Sequence, residues 1–458
     1  MRIVRWFFGL LVFAGLVFGI AYYFAGRAAG PTITINQPSV IGLGGTLDVT
    51  IEAPGGELTA LDIGLEQKGQ TYPVLTLASA PAGAIVREGD RIRITGPIGK
   101  STVPQLQSGA ATLTVGAARP VLRGMRQVAS NASRSIPVRL TPPRLTVVST
   151  HHYVNMGGSE MVVYRVSPAD AESGIRVGDH VYPGFPGTGA GLNDPELRVA
   201  FFALLYDQKS GTPITAFARD IAGNQARAQF DHRVFPKRFR NSRIALDDTF
   251  LSRVVPSILQ GAPQLKASSD DLLPAFLTIN DDLRRSNNET IAALAKKTAA
   301  GILWEGAFQG LGGSQVESAF ADFRTYIYKG RDVDQQVHLG FDLAKTANAP
   351  VTAANNGKVV FADELGIYGN TVVVDHGMGV QSLYAHLSSF AVSDGADVKK
   401  GQTLGSSGQT GLAGGDHLHF SMLVNGQFVN ATEWWDAHWI EDRVLRKLRE
   451  AGSTAMAR

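Results

Sequence analysis

Six of the ten histidines in this 458-residue sequence fall between positions 338 and 438, and there is no cysteine anywhere. Disulfides, thiolate zinc fingers, iron–sulfur clusters and cysteine nucleophiles are thereby excluded, and any metal has to be held by imidazole or carboxylate. Two short patterns offer such groups, His338-Leu-Gly-Phe-Asp342 and His417-Leu-His419, with His386 between them in Leu383-Tyr-Ala-His-Leu387. Residues two apart on a strand project from one face, about 6.6 Å apart along the chain. His417 and His419 therefore look into one site while Leu418 points to the opposite face. Both rings could touch one metal, or one could bind while its neighbour reaches an adjacent water. Gly340 argues against a long helix across His338–Asp342, so that segment turns and lets imidazole and carboxylate converge. Two imidazoles and one carboxylate form a ligand set for a catalytic zinc, which takes three protein ligands and leaves a position for solvent. His376, in Asp375-His-Gly377, sits at a strand end and reads as a satisfied core residue.

Positioning such a site requires a β scaffold, and the pattern supplies one. From about Trp304 onward, short apolar runs at Pro350–Ala353, Lys358–Phe361, Thr371–Val374, Leu383–Leu387, Thr403–Leu404 and Leu418–Leu423 are separated by glycine-rich turns. Trp434 to Arg449 reads as an amphipathic helix with Ile440, Val444 and Leu448 on one side. Upstream, Phe250, Val254, Ile258 and then Phe276, Ile279, Leu283 recur at helical spacing, with Asp247, Asp248, Asp270 and Asp271 near the starts and Pro256 and Pro274 keeping the helices short or kinked. This stretch is expected to be a helical linker packed on its neighbours, the alternative being a lid over the C-terminal site. Between Pro31 and about Arg240 the pattern is alternating strands, with Pro142–Pro143 as a seam between two β modules. Asp220-Ile-Ala-Gly-Asn224 resembles the Asp-x-Ala-Gly-Asn of bacterial immunoglobulin-like repeats.

The segment Trp6 to Gly26 carries no charge; as a helix it would extend about 31 Å against a hydrocarbon core of ~30 Å. Arg2 and Arg5 precede it and Arg27 follows, a bias that keeps the N-terminus cytoplasmic. A cleavable signal peptide is the competing reading, although its apolar core usually spans only ~7–15 residues. The net charge of +3 and the lack of a basic stripe with interleaved aromatics argue against nucleic acid as a partner. Gly99-Lys-Ser-Thr102 lacks the first glycine of a phosphate loop, since Ile94 stands there.

From Phe320 to Trp435 the sequence closely resembles the lysostaphin-like, LytM-domain zinc metallopeptidases that cut peptidoglycan cross-bridges. The likeness is carried by His338-x-x-x-Asp342, Tyr368-Gly-Asn-x-Val-Val-Val-Asp-His-Gly377, Leu383-Tyr-Ala-His386-Leu, Gly401-Gln-x-Leu-Gly405 and Gly415-Asp-His-Leu-His-Phe420. It implies that His338, Asp342 and His419 are the zinc ligands, one Zn2+ per catalytic domain. His386 and His417 would be the catalytic pair that orients and deprotonates water and stabilises the oxyanion. No His-Glu-x-x-His helix is present to supply a glutamate base. Tyr326 and Tyr328, just upstream, are candidates to line the cleft.

The expected protein is thus mainly β and multidomain. A cytoplasmic tip and transmembrane anchor (1–28) precede two immunoglobulin-like β-sandwich modules (31–141 and 142–240) and a helical linker (241–303). An antiparallel LytM-type zinc peptidase domain (304–435) and a C-terminal helix and tail (436–458) follow. The expected function is that of a membrane-anchored zinc metalloendopeptidase hydrolysing peptide cross-links of peptidoglycan, whose stem peptides would be its substrate. The lipid bilayer would meet residues 6–26, envelope proteins would meet the β-sandwich modules, and the catalytic domain would be periplasmic on the inner membrane. The alternatives are a non-catalytic peptidoglycan-binding or hydrolase-activating module, and a protease of envelope proteins.

Overall fold

The computed structural model describes residues 2–456, which divide into two compact units. The first takes the chain up to Pro143 together with Arg219–Ala226, and the second takes Arg144–Ala218 and the chain from Arg227 onward. Both are built mainly from β-structure.

The first unit begins with the helix Arg2–Ala25, whose large apolar side chains from Trp6 to Phe24 are exposed. Its portion Arg5–Ala25 is long and apolar enough to cross a membrane, a test that a signal sequence also passes. Two four-stranded sheets follow. One orders Thr32–Gln37, Thr46–Glu52, Arg91–Pro97 and Ile85–Glu88; the other orders Gln70–Thr76, Ala60–Gln67, Gly109–Val121 and Arg126–Val138. In Arg91–Ile94 the isoleucines are buried and the arginines exposed, the alternation of a sheet with one solvated face. Leu47, Val49 and Ile51 of one sheet share an apolar cluster with Ile63, Leu65, Leu113 and Val115 of the other. The Asp220–Asn224 turn is held by its own side chains: Asn224 donates from its backbone to Asp220 Oδ1 (2.8 Å) and from Nδ2 to Oδ2 (2.9 Å).

In the second unit a single apolar cluster runs from Val154 to Ala451. Ser159–Ser167 pairs antiparallel with Leu197–Ala203 and with Arg144–Val147. Asn241–Leu246, which opens the segment expected to be a helical linker, is instead a strand paired parallel with Asp322–Tyr328. The partner lies some eighty residues downstream, so no local pattern announces it. Helices follow at Asp248–Gly261, with Asp247 Oδ1 accepting from Phe250 N at 2.7 Å, and at Leu272–Thr278, which continues through a π turn into Arg284–Leu294. Pro274 stands in a first turn, where its missing N–H costs nothing. Leu251, Val254, Ile258, Phe276, Ile279 and Leu283 are buried, so the helical face read from the spacing is the packed face.

The eight-stranded sheet that carries the histidines orders Gln315–Ser318, Phe341–Ala344, Leu418–Val424, Val380–Leu387, Asn370–Asp375, Gly357–Glu364 and Asp397–Val398, with Gln427–Val429 added beside Leu418–Val424. Val380–Leu387 and Leu418–Val424 are buried at every position, which requires cover on both faces. A separate three-stranded sheet, Asn241–Leu246, Asp322–Tyr328 and Arg331–His338, ends at the first histidine of the cluster.

The chain closes with helical turns at Ala431–Trp435 and from Ala437 to Met456. These are anchored far back in sequence. Glu433 accepts from Asn155 Nδ2 and from Ser159 N, both at 2.8 Å, and Trp434 Nε1 donates to Ser159 Oγ at 3.0 Å. Lys447 donates to Glu160 Oε1 at 2.7 Å, with side chains 1% and 0% exposed.

Candidate metal centre

Strand register assembles the centre. In the antiparallel pairing of Phe341–Ala344 with Leu418–Val424, Asp342 stands directly opposite His419, so their side chains leave one face close together. His338 ends the neighbouring strand Arg331–His338 and reaches the same point across the Leu339–Gly340 turn. A Cβ on Gly340 would lie 2.5 Å from His419 Nε2 and 2.5 Å from Ser421 Oγ, so only glycine lets the chain pass this close behind the imidazole. Ala385 faces His419 from the other side, and His386 follows with φ +61°, a left-handed conformation uncommon for a residue with a Cβ. Such strain inside a buried strand marks a position where orientation matters more than backbone comfort.

Ligand atoms of His338, Asp342 and His419 all lie within 4.8 Å of one another. His338 Nε2 is 2.9 Å from Asp342 Oδ1 and 2.9 Å from His419 Nδ1, which is itself 3.1 Å from the same carboxylate oxygen. His417 Nε2 comes within 3.4 Å of that oxygen, and the His386 ring lies 4.9 Å from the His417 ring and 5.7 Å from that of His419. All five residues singled out in the sequence are brought to one place.

The outer partners fix which nitrogen carries hydrogen. His338 Nδ1 lies 3.2 Å from Ala319 O and donates there, which leaves a lone pair on Nε2. Ser421 Oγ donates to Leu339 O at 2.9 Å and so offers a lone pair to His419 Nε2 at 3.1 Å, leaving His419 Nδ1 as an acceptor. Three acceptors thus face one another with no hydrogen between them. Burial pushes the His419 pKa down to about 4, so its own ring stays neutral at neutral pH, and the donor set fits a divalent cation. The other Asp342 oxygen is held by Arg324 Nη2 at 2.9 Å.

His386 and His417 are oriented in the same way. His386 Nδ1 donates to Thr410 O at 2.8 Å and His417 Nδ1 to Gly415 O at 2.9 Å, so both direct Nε2 away from the backbone. Burial, with His417 and His419 alongside, holds the His386 pKa well below 6.5. Burial also works against the charged form of His417, but Asp342 outweighs it and raises its pKa. Two imidazoles of opposite tendency are the arrangement expected of a base and an acid.

His376 stands apart, its ring nitrogens 2.7 Å from Asn356 O and 2.7 Å from Ser382 Oγ. Tyr326 is buried against Phe276 and, with Arg324, Gln409 and Gly414, lines a cavity of about 570 Å³, whereas Tyr328 donates its hydroxyl to Asp248. Arg253 on the helix Asp248–Gly261 donates to Ala413 O and Gly414 O in the loop before His417. The sequence pattern does not mark out Arg324 or Ser421 as parts of the centre. Ser421 alone left a trace there, two residues after His419 and hence on the same face.

Residues 336–431 match the model of Peptidase family M23, and this span contains all five residues of the centre. Over 95 residues the chain is 42% identical to the DD-carboxypeptidase/endopeptidase Mpg of Neisseria meningitidis serogroup B (strain ATCC BAA-335 / MC58), covering 21% of this chain and 22% of that protein. It is 40% identical over 94 residues to the peptidoglycan DD-endopeptidase ShyA of Vibrio cholerae serotype O1, covering 20% and 22%. It is also 38% identical over 95 residues to the murein hydrolase activator EnvC of Escherichia coli (strain K12), covering 21% and 23%. The chain spans about a fifth of the length of these relatives.

Proposed function

With a Peptidase family M23 domain of the LytM type at its C-terminal end, we propose that this chain is a membrane-anchored zinc endopeptidase that hydrolyses peptide cross-links of peptidoglycan. The observation that carries this reading is the convergence of His338 Nε2, His419 Nδ1 and Asp342 Oδ1, three acceptors that call for a cation between them. His338, Asp342 and His419 would hold the zinc. When bound, it would polarise the scissile carbonyl and lower the pKa of a water from ~15.7 to about 7. His386, neutral and with Nε2 turned from the backbone, accepts the proton of the attacking water. His417, whose Nε2 faces the same centre, supplies a proton toward the departing amine and a hydrogen bond to the developing oxyanion. Arg324 and Ser421 hold the carboxylate and the His419 ring still while this happens.

In this reading the helix Arg5–Ala25 anchors the chain in the cytoplasmic membrane with its N-terminus inside. The β-sheets ahead of the peptidase are immunoglobulin-like modules that engage envelope proteins. The test is incubation of the full chain in mild detergent with purified sacculi, followed by analysis of released muropeptides with and without a chelator. Cleavage should require metal and disappear in His419→Ala together with bound zinc. It should fall steeply in His386→Ala and His417→Ala, with zinc largely retained. Hydrolysis by metal-free His419→Ala would refute the assignment.

The likeness to a murein hydrolase activator favours a second reading, in which the domain binds peptidoglycan or stimulates another hydrolase without cutting. Intact sacculi after incubation with the zinc-loaded chain would select it.

A further inference from the structure

Next to the metal centre lies a cavity of about 400 Å³ that no carboxylate lines among the described residues. Two guanidinium groups border it, Arg284 and Arg324, and the polar groups around them are amides and hydroxyls, among them Tyr206, Asn288 and Gln336. The charge of Arg324 is matched, since Nη2 binds Asp342 Oδ2 at 2.9 Å and Nε lies 3.7 Å from Asp322 Oδ2. Arg284 forms no ion pair among the described residues, although Asp207, Asp281 and Glu289 line a second cavity that it also borders. Its Nε donates to Asn280 O at 3.1 Å and its Nη2 to Asn280 Oδ1, both neutral acceptors, and among the described residues no carboxylate pairs with it. Asn280 is itself fixed by donating to Asp334 Oδ2 at 2.6 Å, so the guanidinium is held in place by groups that leave its charge open.

The cavity is tied to the reacting centre by strand register. Arg324 stands opposite Gln336, and Asp322 opposite His338, in the hairpin of Asp322–Tyr328 with Arg331–His338. Arg324, Gln336 and His338 therefore share one face of that sheet, with Gln336 and His338 about 6.6 Å apart along the strand. An extended peptide covers that distance in about two residues. Asn288 accepts from the hydroxyl of Tyr368 at 2.8 Å, which leaves its amide hydrogens as donors, and the Tyr368 ring packs edge-on against His419 at 5.6 Å. Tyr206, Arg284, Asn288 and Arg324 all lie outside residues 336–431.

We propose that Arg284, supported by Asn288 and Gln336, binds a free carboxylate of the peptide substrate one or two residues from the bond that is cut. The inference rests on the hydrolase reading for its substrate and adds a specificity determinant contributed from outside the peptidase core. A guanidinium with amide donors beside it suits a carboxylate, and charge-assisted hydrogen bonds are about twice as strong as neutral ones.

The test uses the full chain in detergent and two synthetic cross-linked stem peptides that differ only in whether the carboxylate near the scissile bond is free or amidated. The wild-type chain should favour the free acid, and Arg284→Gln should raise KM for it about tenfold or more while leaving its kcat and the KM of the amide within about twofold. Arg284→Lys, which keeps the charge, should recover part of the preference. Calorimetric titration of both peptides into chelator-treated wild-type and Arg284→Gln chains reads the same preference without turnover. A chain that cuts neither peptide yet binds the free acid more tightly overturns the hydrolase reading and keeps the carboxylate site. Equal treatment of both peptides by the wild type, or loss of kcat for both in Arg284→Gln, overturns the site. Should Arg284→Gln fail to fold, the wild-type preference and Arg284→Lys decide alone.

Discussion

Replacing Lys447 with methionine should destabilise the second unit more than any loss of a surface charge could. Lys447 Nζ lies 2.7 Å from Glu160 Oε1 and 3.0 Å from Met161 O, with the two side chains 1% and 0% exposed. Methionine nearly preserves the volume but leaves the buried Glu160 carboxylate with only the distant Arg443 Nε, 3.9 Å away, as a cation, a change that costs about 3–5 kcal/mol. For a unit of about 300 residues the specific unfolding entropy translates this into a fall of roughly 5–8 °C in Tm. Trp434 packs edge-on against Trp304 and at a tilt against Trp439, at ring separations of 5.9 and 5.3 Å, so tryptophan fluorescence of the full chain in detergent reports the transition directly. The double variant Lys447→Met, Glu160→Gln should regain much of the loss, because the uncompensated charge is gone. A single variant that melts with the wild type, or a double variant worse than the sum of the two single ones, would refute the argument that this pair is an electrostatic lock in a dry environment.

Two further outcomes follow from the same accounting. Ser421→Ala removes the acceptor that fixes the His419 tautomer and should weaken zinc binding by about 10–100-fold, read by competition with a chromophoric chelator, with little change in the Tm of the metal-free chain. Glu433 has its pKa pushed by burial from 4.5 up to about 7, so the folded state holds this proton more tightly than the unfolded state. Its contribution to stability is therefore complete below about pH 4.5 and is lost as pH rises through about 7, on the order of 3 kcal/mol in all. Unfolding midpoints measured between pH 5 and 8 should decline for the wild type and decline less for Glu433→Gln, which starts lower because an amide N–H meets the Ser159 donors.

The centre was readable where its geometry is local. His417 and His419 obey the period of a strand, and His338 and Asp342 flank a glycine that must turn, so two pairs of groups could be placed from spacing alone. What escaped depends on partners far away in sequence. Arg324 meets Asp342 only because a hairpin sets Asp322 against His338, and nothing around residue 324 signals it. The same holds for Asn241–Leu246, whose partner strand begins at Asp322, and for the left-handed φ of His386, which ordinary alternation does not foretell. The amphipathic stripe of Ile440, Val444 and Leu448 revealed a packed helix but not its partner. Nothing in the spacing singles out Lys447, although its side chain is buried beside them.

The anchoring of Glu433, Trp434 and Lys447 on Asn155, Ser159 and Glu160 has a temporal side. Contacts spanning 274 to 287 positions can form only once residues 433–447 have left the ribosome. A chain that stops before residue 431 would leave Ser159 and Glu160 without their partners and would take Trp434 out of the apolar cluster of the second unit. Folding of the second unit thus waits on residues 433–447, which leave the ribosome long after the strand they anchor.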